Sequence, residues 1–117
     1  MGLIKHDRGK PNWALLPLVI IKEIVEVLTF GAEKYSPGGW QKGEFFDSQD
    51  RYFAAALRHL EEFQSGKRVD EESGLSPLAH ALCNIMFVLW YERFKQPLGG
   101  SNAQQVRQGS DEQEAAR

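Results

Sequence analysis

The sequence predicts a small all-α domain, and three observations carry that prediction. Apolar residues recur at spacings of three and four in three separate runs, over residues 20–28, 53–63 and 78–89. Strong chain breakers close each run: Ser36-Pro37-Gly38-Gly39, Ser65-Gly66 and Pro97-Leu98-Gly99-Gly100. No stretch alternates apolar and polar residues as a half-buried strand would, and no internal repeat occurs.

Residues 1–16 begin polar, with Lys5, His6, Asp7, Arg8 and Lys10, and end apolar, with Trp13, Leu15 and Leu16. Gly9 and Pro11 break regular structure, so this is expected to be an extended arm that Trp13 and the leucines pin to the body. Pro17, tolerated in a first turn, opens a helix on which Ile20, Ile24, Val27 and Leu28 recur, running to about Tyr35. Residues 40–46 read as a loop exposing Trp40, Phe45 and Phe46. Asp47-Ser48-Gln49-Asp50 supplies cap candidates for a second helix with the stripe Phe53, Ala56, Leu57, Leu60 and Phe63. After a charged loop over 67–73, Ser76-Pro77 opens a third helix with the stripe Leu78, Leu82, Ile85, Met86 and Leu89. That helix is apolar on most faces and is expected at the bundle centre or at a subunit contact. Residues 101–117 hold one sizeable aliphatic side chain, Val106, and are expected to be a flexible tail, leaving 1–100 as one domain.

Composition narrows the function classes. The 117 residues suffice for one domain and not two, and 42% hydrophobic with 26% charged is neither disordered nor fibrous. Fourteen Lys and Arg against 16 acids give a net charge of −2, which argues against a nucleic-acid partner. A single cysteine excludes an internal disulfide and fits a reducing cytoplasm. The apolar runs over 14–21 and 85–91 fall short of the ~20 residues of a membrane span, and no signal peptide is apparent. At ~25 cal/mol per Å² against the entropy of ordering, three such helices are only marginally stable alone. Trp90 and Tyr91 on an already apolar helix therefore point to a homo-oligomer, dimer or tetramer.

The polar residues of the middle suggest chemistry. Arg51 and Arg58 share one helical face, His59 and Glu62 the neighbouring one, while His80 and Asn84 lie four apart on the apolar third helix. Antiparallel packing would bring the loop acids Asp70, Glu71 and Glu72 beside Glu62 and near His80. Carboxylates and imidazoles converging in this way suit a divalent metal with open positions. The competing reading pairs Arg58 with Glu62 on the surface and makes His80 and Asn84 satisfied core residues. Lys10, Lys34, Tyr35 and Trp40 form a second, basic and aromatic set suited to phosphate and base, or simply to covering the bundle end. Gly38-Gly39 is no phosphate loop, Cys83 has neither the partner for zinc nor the setting of a nucleophile, and His6-Asp7 is poor support for a histidine–aspartate phosphohydrolase.

The strings HDRGKPNWALLP (6–17), VLTFGAEKYSPGGWQKG (27–43), RYFAAALRHL (51–60) and DEESGLSPLAHALCN (70–84) together resemble the phage and bacterial dATP/dGTP diphosphohydrolase family, grouped with the MazG-type all-α pyrophosphohydrolases. The resemblance runs from about residue 5 to residue 93. It implies a MazG-like helical bundle completed by oligomerisation, and Mg2+-dependent hydrolysis of dGTP or dATP to the monophosphate and pyrophosphate, with Mn2+ or Co2+ able to substitute. Members of this kind are linked in some phages to supplying dGMP for 2-aminoadenine DNA. The family pattern matches at Lys10, Lys34, Tyr35, Trp40, Arg51, Arg58, His59, Asp70, Glu72, Ser73, Gly74, His80 and Asn84. From it, together with the convergence that places Glu62 beside the loop acids, Glu62, Asp70, Glu72 and His59 are expected to be catalytic, and Glu62, Asp70, Glu72 and His80 to hold metal. Lys10, Lys34, Tyr35, Trp40, Arg51, Arg58 and Asn84 are expected to bind substrate. The chain departs from MazG-type proteins in lacking the usual EExxE and ExxD pair, since Phe63, Gln64 and Ser65 follow Glu61-Glu62, and in having Pro77 where the family tends to have histidine. A catalytically silent nucleotide-binding or assembly protein on the same bundle is the alternative.

Overall fold

Chain breakers and caps decide where the helices begin and end. The protein's computed structural model describes residues 8–95; the expected tail over 101–117 and His6 lie outside the described residues. Helix α1 spans Leu18–Lys34, α2 Phe45–Gln64 and α3 Pro77–Phe94, with 3-10 turns at Trp13–Leu15 and Gly39–Lys42 and no strand among the described residues. The all-α expectation holds.

Pro17 precedes α1 as its cap, one residue outside the helix, and Tyr35 closes it by donating its backbone N–H to the Gly31 carbonyl. Gly38 then takes a left-handed φ of +69°, which turns the chain into Gly39–Lys42. At α3, the Ser76 hydroxyl accepts from the Leu78 N–H and Pro77 occupies the first turn, as expected. Helix α2 differs. It starts at Phe45 behind Glu44, which makes no side-chain cap bond, so Asp47, Ser48, Gln49 and Asp50 lie inside the helix. Asp47 serves instead as a first-turn carboxylate facing the positive helix end.

Small residues govern the packing. Ala56 of α2 and Ala79, Ala81 and Cys83 of α3 are buried, and α2 and α3 form the principal contact. Helix α1 joins more sparsely, with Val27, Ile24 and Leu28 in a cluster with Ala79, Cys83, Leu75 and Phe87. Because small side chains occupy the seam, the large ones are turned outward: Leu57, Ile85 and Leu89 are 50%, 46% and 52% exposed. The apolar stripes read from the sequence on α2 and α3 thus lie largely on the surface of the single chain.

An aromatic cluster holds the loop before α2. The Trp40 ring stacks on Phe87 at 4.2 Å between centroids and meets Trp90 edge-on at 5.1 Å, while Tyr52 meets Phe87 edge-on at 5.0 Å. Fully buried Tyr91 donates its hydroxyl to the Trp40 carbonyl at 2.6 Å and accepts from the Gly43 N–H at 3.0 Å. A Cβ at Gly43 would collide with Ser48 Oγ, so any other residue there forces the buried Ser48 to shift. Trp40 and Phe45 are therefore partly buried rather than exposed, and Tyr91 finds its burial within its own chain. The arm departs from expectation in the other direction: Trp13 and Leu15 are 80% and 79% exposed, so they do not pin it to the body. Pro11 and the Asn12 side chain, which accepts from the Ala14 N–H, turn the segment on itself instead.

Candidate active site

A cleft of about 1030 Å³ opens between the end of α1, the Gly39–Lys42 turn, the α2–α3 pair and the loop following α2. Its aromatic end is formed by Trp40, Tyr52 and Phe87, and its polar end by Lys34, His59, Asp70, Glu72 and His80.

The polar end is built from a self-bonded loop. The Asp70 N–H donates to the Leu75 carbonyl at 2.7 Å, and the Gly74 N–H to the Asp70 carbonyl at 2.8 Å. Asp70 Oδ2 accepts from the backbone N–H groups of Glu72 and Ser73 at 3.0 and 2.9 Å. Gly74, at φ +74°, lets the chain reverse toward α3. Burial works to raise the Asp70 pKa, but the Ser73 backbone N–H and the charge of His80 outweigh it and hold the carboxyl below its ordinary value. Asp70 is an anion with one oxygen committed to the loop.

Two imidazoles stack beside it. The rings of His59 and His80 lie 4.8 Å apart and 22° from parallel. His59 Nδ1 is 3.1 Å from Glu62 Oε1, and His80 Nε2 is 2.7 Å from Ser73 Oγ, which also accepts from the Leu75 N–H. Burial, and then the neighbouring His59, push the His80 pKa down. Asn84 donates its amide N–H to the His80 carbonyl at 2.8 Å, which directs its own carbonyl oxygen away from that bond.

Ligand atoms of His59, Glu62 and Asp70 lie within 4.8 Å of one another, the set among the described residues that could hold a metal ion. Two expected ligands are otherwise engaged: His80 with Ser73, and Glu72 with Lys34, whose ammonium meets both carboxylate oxygens at 2.7 and 2.8 Å. That hydrogen bond to Glu72, helped by Tyr35, raises the Lys34 pKa.

Of the expected substrate-binding residues, Lys34, Tyr35, Trp40, Arg51 and Asn84 line the cleft, whereas Lys10 and Arg58 are exposed away from its lining. Glu62, four residues from Arg58, faces His59 and Lys67 instead. Trp40 has one ring face on Phe87, while Tyr35 is 75% exposed. Tyr52 and Lys67 are the site residues that spacing did not reveal. Lys67 was signalled only indirectly, by the Ser65-Gly66 helix stop just before it. Cys83 also lines the cleft, but burial pushes its thiol up to about 11, which leaves it inert as a nucleophile. No helix among the described residues is long and apolar enough to cross a membrane.

The sequence model of the family described as "dATP/dGTP diphosphohydrolase, N-terminal" matches residues 3–98. A Salmonella phage PMBT28 protein named dATP/dGTP diphosphohydrolase is 33% identical over 87 residues, which is 74% of this chain and 29% of that protein. The chain thus spans 29% of the length of the curated relative it matches. No solved structure matches it significantly.

Proposed function

The chain belongs to the dATP/dGTP diphosphohydrolase family, and we propose that it hydrolyses a purine deoxynucleoside triphosphate, dGTP or dATP, to the monophosphate and pyrophosphate. One observation carries this reading: His59, Glu62 and Asp70 converge within 4.8 Å at the end of a cleft that also presents Lys34 and Arg51.

The donor set suits a divalent cation. Asp70, Glu62 and His59 would hold such a cation through two carboxylate oxygens and one imidazole nitrogen, few enough donors to leave room for water and phosphate oxygens, as Mg2+ prefers. The nitrogen donor suits Mn2+ or Co2+ at least as well. Bound there, the cation supplies positive charge to the triphosphate and makes water more acidic.

The chain's own residues account for the remaining steps. Water attacks the α-phosphorus, the bond to the α–β bridging oxygen breaks, and pyrophosphate leaves. The Glu62 oxygen not spent on the cation takes the proton from the attacking water, and His59, 3.1 Å away, holds that carboxylate in place. Lys34 and Arg51, both on the cleft wall, bind phosphate oxygens through their positive charge. The exposed Tyr35 ring stacks on the base, and the Asn84 carbonyl oxygen accepts from a base N–H. Trp40 shapes this end of the cleft through its stack on Phe87. The outward apolar faces of α2 and α3 support a homo-oligomer in which a second copy covers them. With dGTP as substrate, the product dGMP fits the supply of precursor for 2-aminoadenine DNA.

Pyrophosphate release measured with each deoxynucleoside triphosphate, with and without Mg2+, Mn2+ or Co2+, tests the proposal. Metal-dependent release from dGTP or dATP is the expected result. Binding of nucleotide without release under every metal would instead identify a catalytically silent binding protein.

A further inference from the structure

Two carboxylates of the polar end each carry a lysine. Lys34 reaches Glu72 across 38 residues of sequence and bonds both its oxygens, at 2.7 and 2.8 Å. Lys67 sits 3.7 Å from Glu62 Oε2 and 3.7 Å from Glu71 Oε1, close enough for an ion pair and too far for a hydrogen bond. The position of Lys67 is dictated by the end of α2. The Gly66 N–H donates to the Phe63 carbonyl and the Lys67 N–H to the Glu62 carbonyl, with Gly66 at φ +108°. This is the Schellman reversal, which folds Lys67 back over Glu62, five residues earlier in the chain. Glu62 therefore has His59 on one oxygen and Lys67 on the other.

We propose that Lys34 and Lys67 are exchangeable counter-ions of the cation site: Lys67 neutralises Glu62, one of the three convergent donors, and Lys34 neutralises Glu72, which lies beside them with its N–H on Asp70, and each must yield when a divalent cation arrives. The inference rests on the metal-assisted reading above. The physical reason is charge. Glu62, already paired with Lys67, is a weaker ligand for a second cation, and a divalent ion on Asp70 would repel the Lys34 ammonium held beside it on Glu72. The two lysines then have different fates. Lys34 lines the cleft, so the ammonium released from Glu72 is free to meet a phosphate oxygen in the same place. Lys67 is outside the cleft lining and competes with the cation alone. Arrival of metal and of triphosphate is thereby coupled at Lys34 and uncoupled at Lys67.

Lys34→Met and Lys67→Met, with Lys34→Arg and Lys67→Arg as charge-retaining partners, test this on the full chain. Mn2+ binding to the nucleotide-free protein is followed by electron paramagnetic resonance, and a non-hydrolysable dGTP analogue is then titrated at saturating Mn2+. Both Met variants should bind Mn2+ tighter by on the order of fivefold, while both Arg variants keep the wild-type affinity. Only Lys34→Met should then bind the analogue more weakly, on the order of tenfold. Unchanged Mn2+ affinity in both Met variants of a protein that does bind Mn2+ overturns the exchange and leaves the proposed reaction standing. A wild-type protein that binds no Mn2+ overturns both.

Discussion

The two ends of the cleft are held in place by opposite means. At the aromatic end, Trp40, Phe87 and Tyr91 are fixed by ring contacts and by one buried hydroxyl that bonds the Trp40 carbonyl and the Gly43 N–H. At the polar end, Asp70 and Ser73 are fixed by hydrogen bonds within their own loop, and Glu72 and Lys34 remain substantially exposed. The first arrangement is part of what folds the chain; the second sits on a fold already made. Substitutions at the polar end should therefore change chemistry and spare stability, and substitutions at the aromatic end should do the reverse.

The sharpest test is the loss of charge at the polar end. Asp70→Asn keeps a side-chain oxygen for the loop N–H groups, and Glu62→Gln keeps the shape of its carboxylate. Each should lower pyrophosphate release by about hundredfold or more while circular dichroism stays unchanged. Full metal-dependent activity in both variants would remove the convergent set from the reaction. At the other end, Tyr91→Phe strands the Gly43 N–H and should cost about 1–3 kcal/mol in urea unfolding, with activity per folded molecule retained. A stable but inactive Tyr91→Phe protein would erase the contrast between the ends.

Asn84 lies between them. Its amide adds a second donor to a His80 carbonyl that the helix already satisfies, so Asn84→Leu leaves no orphaned acceptor. Its stability should change by less than about 1 kcal/mol while activity falls about tenfold, read as melting midpoint and specific activity on one preparation. The smallest effect concerns pH. His80 has a folded-state pKa below its ordinary 6.5, so the unfolded chain takes up a proton that the folded chain refuses. Stability should fall as the pH drops through about 6.5, and His80→Gln should flatten that slope between pH 7.5 and 5.5 in urea titrations. Asp70 adds a second loss at lower pH, where its carboxyl, held anionic in the fold, is forced to protonate.

Local signals made the helices legible. Ser76-Pro77, Ser65-Gly66 and Ser36-Pro37-Gly38-Gly39 stop or start them where caps and positive-φ glycines are found. The start of α2 was hidden because Phe45 and Phe46 look like loop aromatics and Glu44 makes no cap bond. Spacing showed which residues share a face but not which face is buried: Ala79 and Cys83 took the seam, and Ile85 and Leu89 were left outside. At the site, Glu62 and His59 were readable as neighbours three residues apart, and the arrival of Asp70 followed from antiparallel packing. What spacing could not give was each side chain's partner. That His80 turns to Ser73 and Glu72 to Lys34 depends on a loop reversal and on a contact spanning 38 residues.

Helix α1 carries Lys34 and Tyr35 into the cleft yet packs sparsely on α3, with much of Leu18, Val19 and Val25 in solvent. Its opening free energy is accordingly lower than that of the α2–α3 pair, and its backbone amides should exchange with deuterium first. A triphosphate bridging Lys34 to the opposite wall would tie this loosely held segment down. Ligand occupancy should then be written most strongly in the exchange rates of α1, a helix that contributes none of the three convergent ligands.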